Sequence, residues 1–79
     1  MEKENIQKLY RLCEEATTRK NVKLNDKTQF IADLGLSSLA ILNLLTQIEK
    51  TFKVTIGAYE LEELYTIGDL VHLLDQKIK

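Results

Sequence analysis

Phe30-Ile31-Ala32-Asp33-Leu34-Gly35-Leu36-Ser37-Ser38-Leu39 is the stretch on which the reading of this chain turns. Phe30, Ile31 and Leu34 predict a short turn that tucks an aromatic anchor into a core. Gly35 tolerates backbone angles that other residues avoid, and a helix is expected to begin just after it. The hydroxyl of Ser37 or Ser38 can cap that helix, an interaction worth about 1 kcal/mol.

Downstream, apolar residues at 39, 42, 45, 48 and 52 predict a helix from Leu39 to about Phe52 with a core-facing stripe. Lys50 and Lys53 near its end suit the negative pole of the helix dipole. A short helix is expected over Ala58 to Leu64, with Tyr59 and either Leu61 or Leu64 turned inward. Thr66 and Asp69 have the spacing of a capping box, with Asp in place of the usual Glu or Gln. The helix they open carries Ile67, Leu70, Val71, Leu74 and Ile78 on one face. Upstream, Ile6, Leu9, Tyr10, Leu12, Cys13 and Ala16 mark an amphipathic helix over roughly Glu4 to Arg19. Between that helix and Phe30, the polar stretch Asn21 to Gln29 reads as a long loop pinned by Val22 and Leu24. The fold expected is all-α: a small bundle of three longer helices and one short one, with a long first connection. Residues 1–79 leave no room for a second core, so a single domain is expected.

Composition excludes several classes. Eleven basic and twelve acidic residues give a net charge of −1, without the basic excess of a nucleic-acid binder. The longest apolar cluster, Leu39 to Leu45, is broken by Asn43 and is too short to span a bilayer. The polar start Met1-Glu2-Lys3-Glu4-Asn5 is no signal peptide. Together these point to a cytoplasmic protein. The single cysteine, Cys13, lies on the apolar stripe and reads as core, because a free thiol packs as a small hydrophobe. The single histidine, His72, has no partner at metal-ligand spacing and reads as a boundary residue. Glu60, Glu62, Glu63 and Asp69 read as a solvated face. No catalytic residue and no metal site is expected, and the chain is not read as an enzyme.

The stretch around Ser38 resembles the attachment site of acyl and peptidyl carrier proteins, whose usual form is Asp-Leu-Gly-x-Asp-Ser-Leu. The resemblance covers nearly the whole chain: Phe30, Asp33-Leu34-Gly35, Ser38-Leu39, Phe52, Val54-Thr55-Ile56 and Leu64-Tyr65-Thr66-Ile67 all fall in register. It implies the four-helix carrier fold and a 4'-phosphopantetheine arm joined covalently to the Ser38 hydroxyl. It also implies partners: a phosphopantetheinyl transferase, an acyl- or aminoacyl-loading enzyme, and a downstream synthase or transferase. No nucleic acid or membrane is expected among them, and a monomer is expected. Leu36, Ser37, Leu39, Ala40 and Ile41 are the expected partner contacts, with Leu36, Ala40 and Ile41 forming a small apolar patch. Leu42, Leu45, Ile56 and Leu64 are expected to line an acyl-chain site between the second and third helices.

Three departures colour this reading. Ser37 replaces the usual Asp before the attachment serine and is itself a possible acceptor, although registry with Gly35 and Leu39 selects Ser38. The outer side of the second helix, read as Ala40, Ile41, Asn43, Thr46, Gln47, Glu49 and Lys50, holds a single acid next to a base. Gly57 stands where many relatives have Pro and is expected to loosen the entry to the third helix. The weak charge favours a dedicated polyketide, nonribosomal peptide or other acyl-transfer pathway over general fatty-acid synthesis. An unmodified helical interaction module is the alternative.

Overall fold

A computed structural model describes residues 2–78; Met1, the first residue of the polar start, and Lys79 lie outside the described residues. Four helices follow one another: α1 Lys3–Ala16, α2 Ser38–Phe52, α3 Ala58–Leu61 and α4 Ile67–Ile78. Among the described residues the only strand-like pairing is an isolated antiparallel bridge between Gln29 and Thr66.

α1 buries Leu9 and Cys13, one turn apart on one face. The helix stops three residues before the expected Arg19. Thr17 has turned to extended backbone, and its hydroxyl donates to the carbonyl of Leu34 at 2.7 Å. Two β-branched threonines, Thr17 and Thr18, resist further helix here. The long connection is held by Val22 and Leu24, both packed on the core, as expected. Buried Thr28 reinforces it: its hydroxyl donates to Lys23 O at 3.0 Å and accepts from Asn25 N at 3.0 Å. The backbone then stitches itself to the entry of α4, with Phe30 N donating to Tyr65 O and Ile67 N to Thr28 O.

α2 buries Leu44, Leu45 and Ile48, with Ile41 and Phe52 packed against them. This corrects the expected stripe, because Leu39 is 68% and Leu42 50% exposed. The run Leu39-Ala40-Ile41-Leu42-Asn43-Leu44-Leu45 is apolar nearly all round, so periodicity alone could not choose which side turns inward. The helix ends at Lys53, in left-handed backbone at φ 57°, with Lys50 in the last turn.

α3 is shorter than the expected Ala58–Leu64. From Glu60 the chain makes two overlapping four-residue turns, Glu63 N donating to Glu60 O and Leu64 N to Leu61 O. Leu61 and Leu64 face the core, whereas Tyr59, expected inside, is 77% exposed. Gly57 does not loosen this entry. Its φ of −77° is ordinary, and its N–H donates to Glu60 Oε1 at 2.8 Å, a bond that proline could not make. The same carboxylate pairs with Lys77 Nζ at 3.1 Å, tying α3 to α4.

The capping box at α4 forms in full. Thr66 Oγ1 accepts from Asp69 N at 3.1 Å, and Asp69 Oδ2 accepts from Thr66 N at 3.1 Å and Tyr65 N at 3.0 Å. Ile67, Leu70 and Leu74 of α4 complete the core with no accessible surface. No helix of the described residues is long and apolar enough to cross a membrane.

Candidate functional site

The turn over residues 30–34 delivers the chain to α2. Phe30, Leu34 and Leu36 are all buried, so three side chains nail the approach to the core. Asp33 serves its own turn, its Oδ2 accepting from Gln29 N at 2.7 Å while its own N–H donates to Gln29 O. Gly35 is left-handed at φ 65°, and its N–H closes the turn onto Ile31 O at 3.0 Å. A side chain at 35 would be strained in that conformation.

The two serines that follow have different employments. Ser37 is the N-cap of α2, its Oγ accepting from Ala40 N at 3.1 Å and its carbonyl from Ile41 N at 2.9 Å. Ser38 is the first helical residue and is exposed, and among the described residues its hydroxyl engages no hydrogen bond. First-turn N–H groups lack intrahelical acceptors and stand at the positive end of the helix dipole. No acidic residue lies in the first turn of α2. A phosphodiester joined at this corner would therefore meet unpaired donors and no like charge, which is the electrostatic fit such a group needs.

Around this corner the expected contact residues divide. Leu39 is exposed beside Ser38, and exposed Leu42 continues the same apolar surface. Leu36 is only 5% exposed and belongs to the core, and Ala40 and Ile41 are half-buried against it. The apolar surface next to Ser38 is thus Leu39 and Leu42, not Leu36, Ala40 and Ile41. Two causes combine: Leu36 is anchored in the core with the turn that precedes α2, and the face of α2 that buries Leu44 and Leu45 carries Ala40 and Ile41 inward. Of the four residues expected to line an acyl site, Leu45 is buried, Ile56 and Leu64 are half-buried, and Leu42 faces outward. Open grooves run between α1 and α2 at Leu12, Ala16 and Asn43, and beside α3 and α4 at Leu64, His72 and Gln76; of the four expected residues only Leu64 lines either one.

Charge is arranged differently from the sequence reading too. Glu49, counted among the outer residues of α2, is half-buried, and its Oε2 accepts from Ile56 N at 2.9 Å. The exposed side of α2 keeps Asn43, Thr46, Gln47 and Lys50, with no carboxylate. Glu60 and Asp69 are not a merely solvated face. Hydrogen bonds, first from Gly57 N–H and then from Lys77, hold Glu60 below the usual carboxylate range. Those from Tyr65 N–H and then Thr66 do the same for Asp69. Cys13 lies in the core, where burial pushes its thiol up to about 12. His72 is exposed, its Nε2 lying 3.3 Å from Gln76 Nε2 one turn on. Among the described residues no group of His, Cys, Asp and Glu could hold a metal ion.

Four helices around one core, with an exposed serine at the head of the second, define a small carrier fold rather than a catalytic one. The family model for the phosphopantetheine attachment site matches residues 7–74, and the chain belongs to this family, that of the acyl carrier proteins. It is 37% identical over 57 residues to the acyl carrier protein of Shigella flexneri, covering 72% of this chain and 73% of that one. To the acyl carrier protein of Phytoplasma australiense it is 38% identical over 52 residues, 66% of this chain and 68% of the other. To that of Thermotoga maritima it is 30% identical over 56 residues, 71% and 69% of the two chains. Membership brings a covalently attached 4'-phosphopantetheine, whose terminal thiol supplies the thioester chemistry. It also brings a phosphopantetheinyl transferase and acyl-handling enzymes as partners. The chain is a carrier and not an enzyme.

Proposed function

We propose that Ser38 is the attachment residue and that the chain serves a dedicated acyl or aminoacyl pathway, polyketide or nonribosomal peptide synthesis among them. The observation that carries the site is the division of labour at the corner: Ser37 spends its hydroxyl on the cap, and Ser38 keeps its own free. In the transfer, Ser38 Oγ bonds to the phosphorus that bears the pantetheine in coenzyme A. The phosphoanhydride breaks, the adenosine bisphosphate leaves, and the hydroxyl proton passes to a base of the transferase. Support for a dedicated pathway is the absence of carboxylates on the exposed side of α2, which leaves little long-range steering toward basic enzymes. Recognition there rests on contact with Leu39 and Leu42, beside Ser37. A long acyl chain fits by parting α2 from the segment after it, between Leu45, Ile56 and Leu64, and those amides should shift on acylation.

Coexpression with a broad-specificity transferase tests the site. One phosphopantetheine mass should be added, Ser38→Ala should abolish it, and Ser37→Ala should not; the reverse pattern would move the site to Ser37. The acyl mass on protein purified from its source tests the pathway, and an ordinary fatty-acid series would assign the chain to general synthesis.

A further inference from the structure

The turn that precedes Ser38 ends as a short helix ends. Left-handed Gly35 returns its N–H to Ile31 O at 3.0 Å, and Leu36 N–H reaches back to Phe30 O at 3.1 Å. Such an ending leaves the last carbonyls without backbone partners, here those of Ala32, Asp33 and Leu34. All three are taken by the chain that leaves α1. The Thr17 hydroxyl donates to Leu34 O at 2.7 Å, and Arg19 Nη1 donates to Ala32 O at 2.9 Å and Asp33 O at 3.1 Å. Thr17 Oγ1 also accepts from Arg19 N–H at 3.1 Å, so the two donors are held together. The guanidinium lies flat against Gly35, where a β-carbon would fall 2.7 Å from Arg19 Nε. Its charge sits at the carbonyl end of the turn, the favourable pole for a cation.

We propose that Thr17 and Arg19 are positioning residues for Ser38: they clamp the outgoing carbonyls of the turn and so set the attitude of the Ser37–Ser38 corner against α1. The proposal rests on Ser38 being the modified residue. Neither residue hydrogen-bonds to Ser38, so the effect passes through the backbone of residues 32–37. Phe30, Leu34 and Leu36 anchor that backbone on its inner side only; the clamp supplies the outer side. Without it the corner samples orientations that a transferase cannot engage. The apparent affinity then falls by the fraction of time the competent orientation is held, while chemistry after docking is unchanged. Two features separate this from ordinary loop packing. The donors reach only backbone, so their effect is on chain path and not on side-chain packing. And both are drawn from one segment, which couples the end of α1 to the start of α2.

Two variants test it. Arg19→Met keeps the aliphatic stem and removes the donors; Thr17→Val keeps the shape and removes the hydroxyl. With a broad-specificity phosphopantetheinyl transferase and coenzyme A, each variant, folded by circular dichroism, should raise KM for the carrier at least about threefold while kcat stays within about twofold. Amide hydrogen exchange at Gly35, Leu36 and Ala40 should quicken in both, with no transferase present. A KM unchanged from the parent in both variants overturns the proposal, as does a fall in kcat at unchanged KM. Should the parent chain gain no phosphopantetheine mass, the Ser38 reading is what falls. The exchange rates then decide the clamp alone, and unchanged rates in both variants overturn it.

Discussion

At the corner between the turn and α2, two adjacent serines are both exposed but differ in backbone and in bonding. Ser37 is bound into the helix start and Ser38 is not. Removing the cap should therefore cost stability without touching the proposed modification. Ser37→Ala is expected to lose about 1 kcal/mol, read as a lower urea midpoint at unchanged slope. Ser38→Ala should leave that midpoint where it is. This assignment was only half legible beforehand. The sequence marks a cap at 37 or 38, because either hydroxyl could serve; only the backbone, with Ser37 extended and Ser38 helical, separates them. The Asp33 carboxylate gave no such ambiguity to resolve, yet its task, stapling its own turn, has no signature in a single sequence.

The elements show the same division between what pattern can and cannot reveal. The capping box at Thr66 and Asp69 was readable because its two partners sit three residues apart. The clamp of Thr17 and Arg19 was not, since its acceptors are carbonyls 13 to 17 residues away and carry no side-chain label. The inward face of α2 was misread for a third reason, a surplus of leucines. Asp69 makes the cap of α4 sensitive to acid. Its pKa is held below its ordinary value, chiefly by Tyr65 N–H, so the stability it gives is present above about pH 3.9 and is lost as the pH falls through the lower, folded value. Asp69→Asn should lower the urea midpoint at pH 7 and flatten its decline below pH 4. A steep acid limb in the variant would assign the loss to other carboxylates. Gly35→Ala should cost about 1–2 kcal/mol for the left-handed backbone alone. It should cost more in total, because the new methyl displaces Arg19; introduced into Arg19→Met, the same change should cost less.

Across the whole molecule, one core draws on all the long helices and on the long connection. Leu9 and Cys13 come from α1, Phe30 and Leu34 from the turn, Ile48 from α2, and Leu70 and Leu74 from α4. The order and type of these elements followed from periodicity, whereas the stitching of residues 28–30 to 65–67 is a long-range backbone pairing that no local pattern announces. Cys13 ties this core to pH from the alkaline side. The thiol is raised to about 12 by burial first and by Glu14 second. An unfolded thiol titrates near 8.5. Between those values the unfolded chain has released the proton and the folded chain has kept it, so stability falls as pH rises. The slope from this residue is up to about 1.4 kcal/mol per pH unit. Urea midpoints measured from pH 8 to 10.5 should show that decline, and Cys13→Ala should flatten it.

The same buried thiol governs the custody of a load. A thioester is surrendered to whatever thiolate can reach it, and at neutral pH Cys13 is neither ionised nor accessible. It is the only cysteine in the chain. An acyl group on the arm therefore has no reachable thiolate within its own carrier to migrate to, and it leaves only when another molecule takes it.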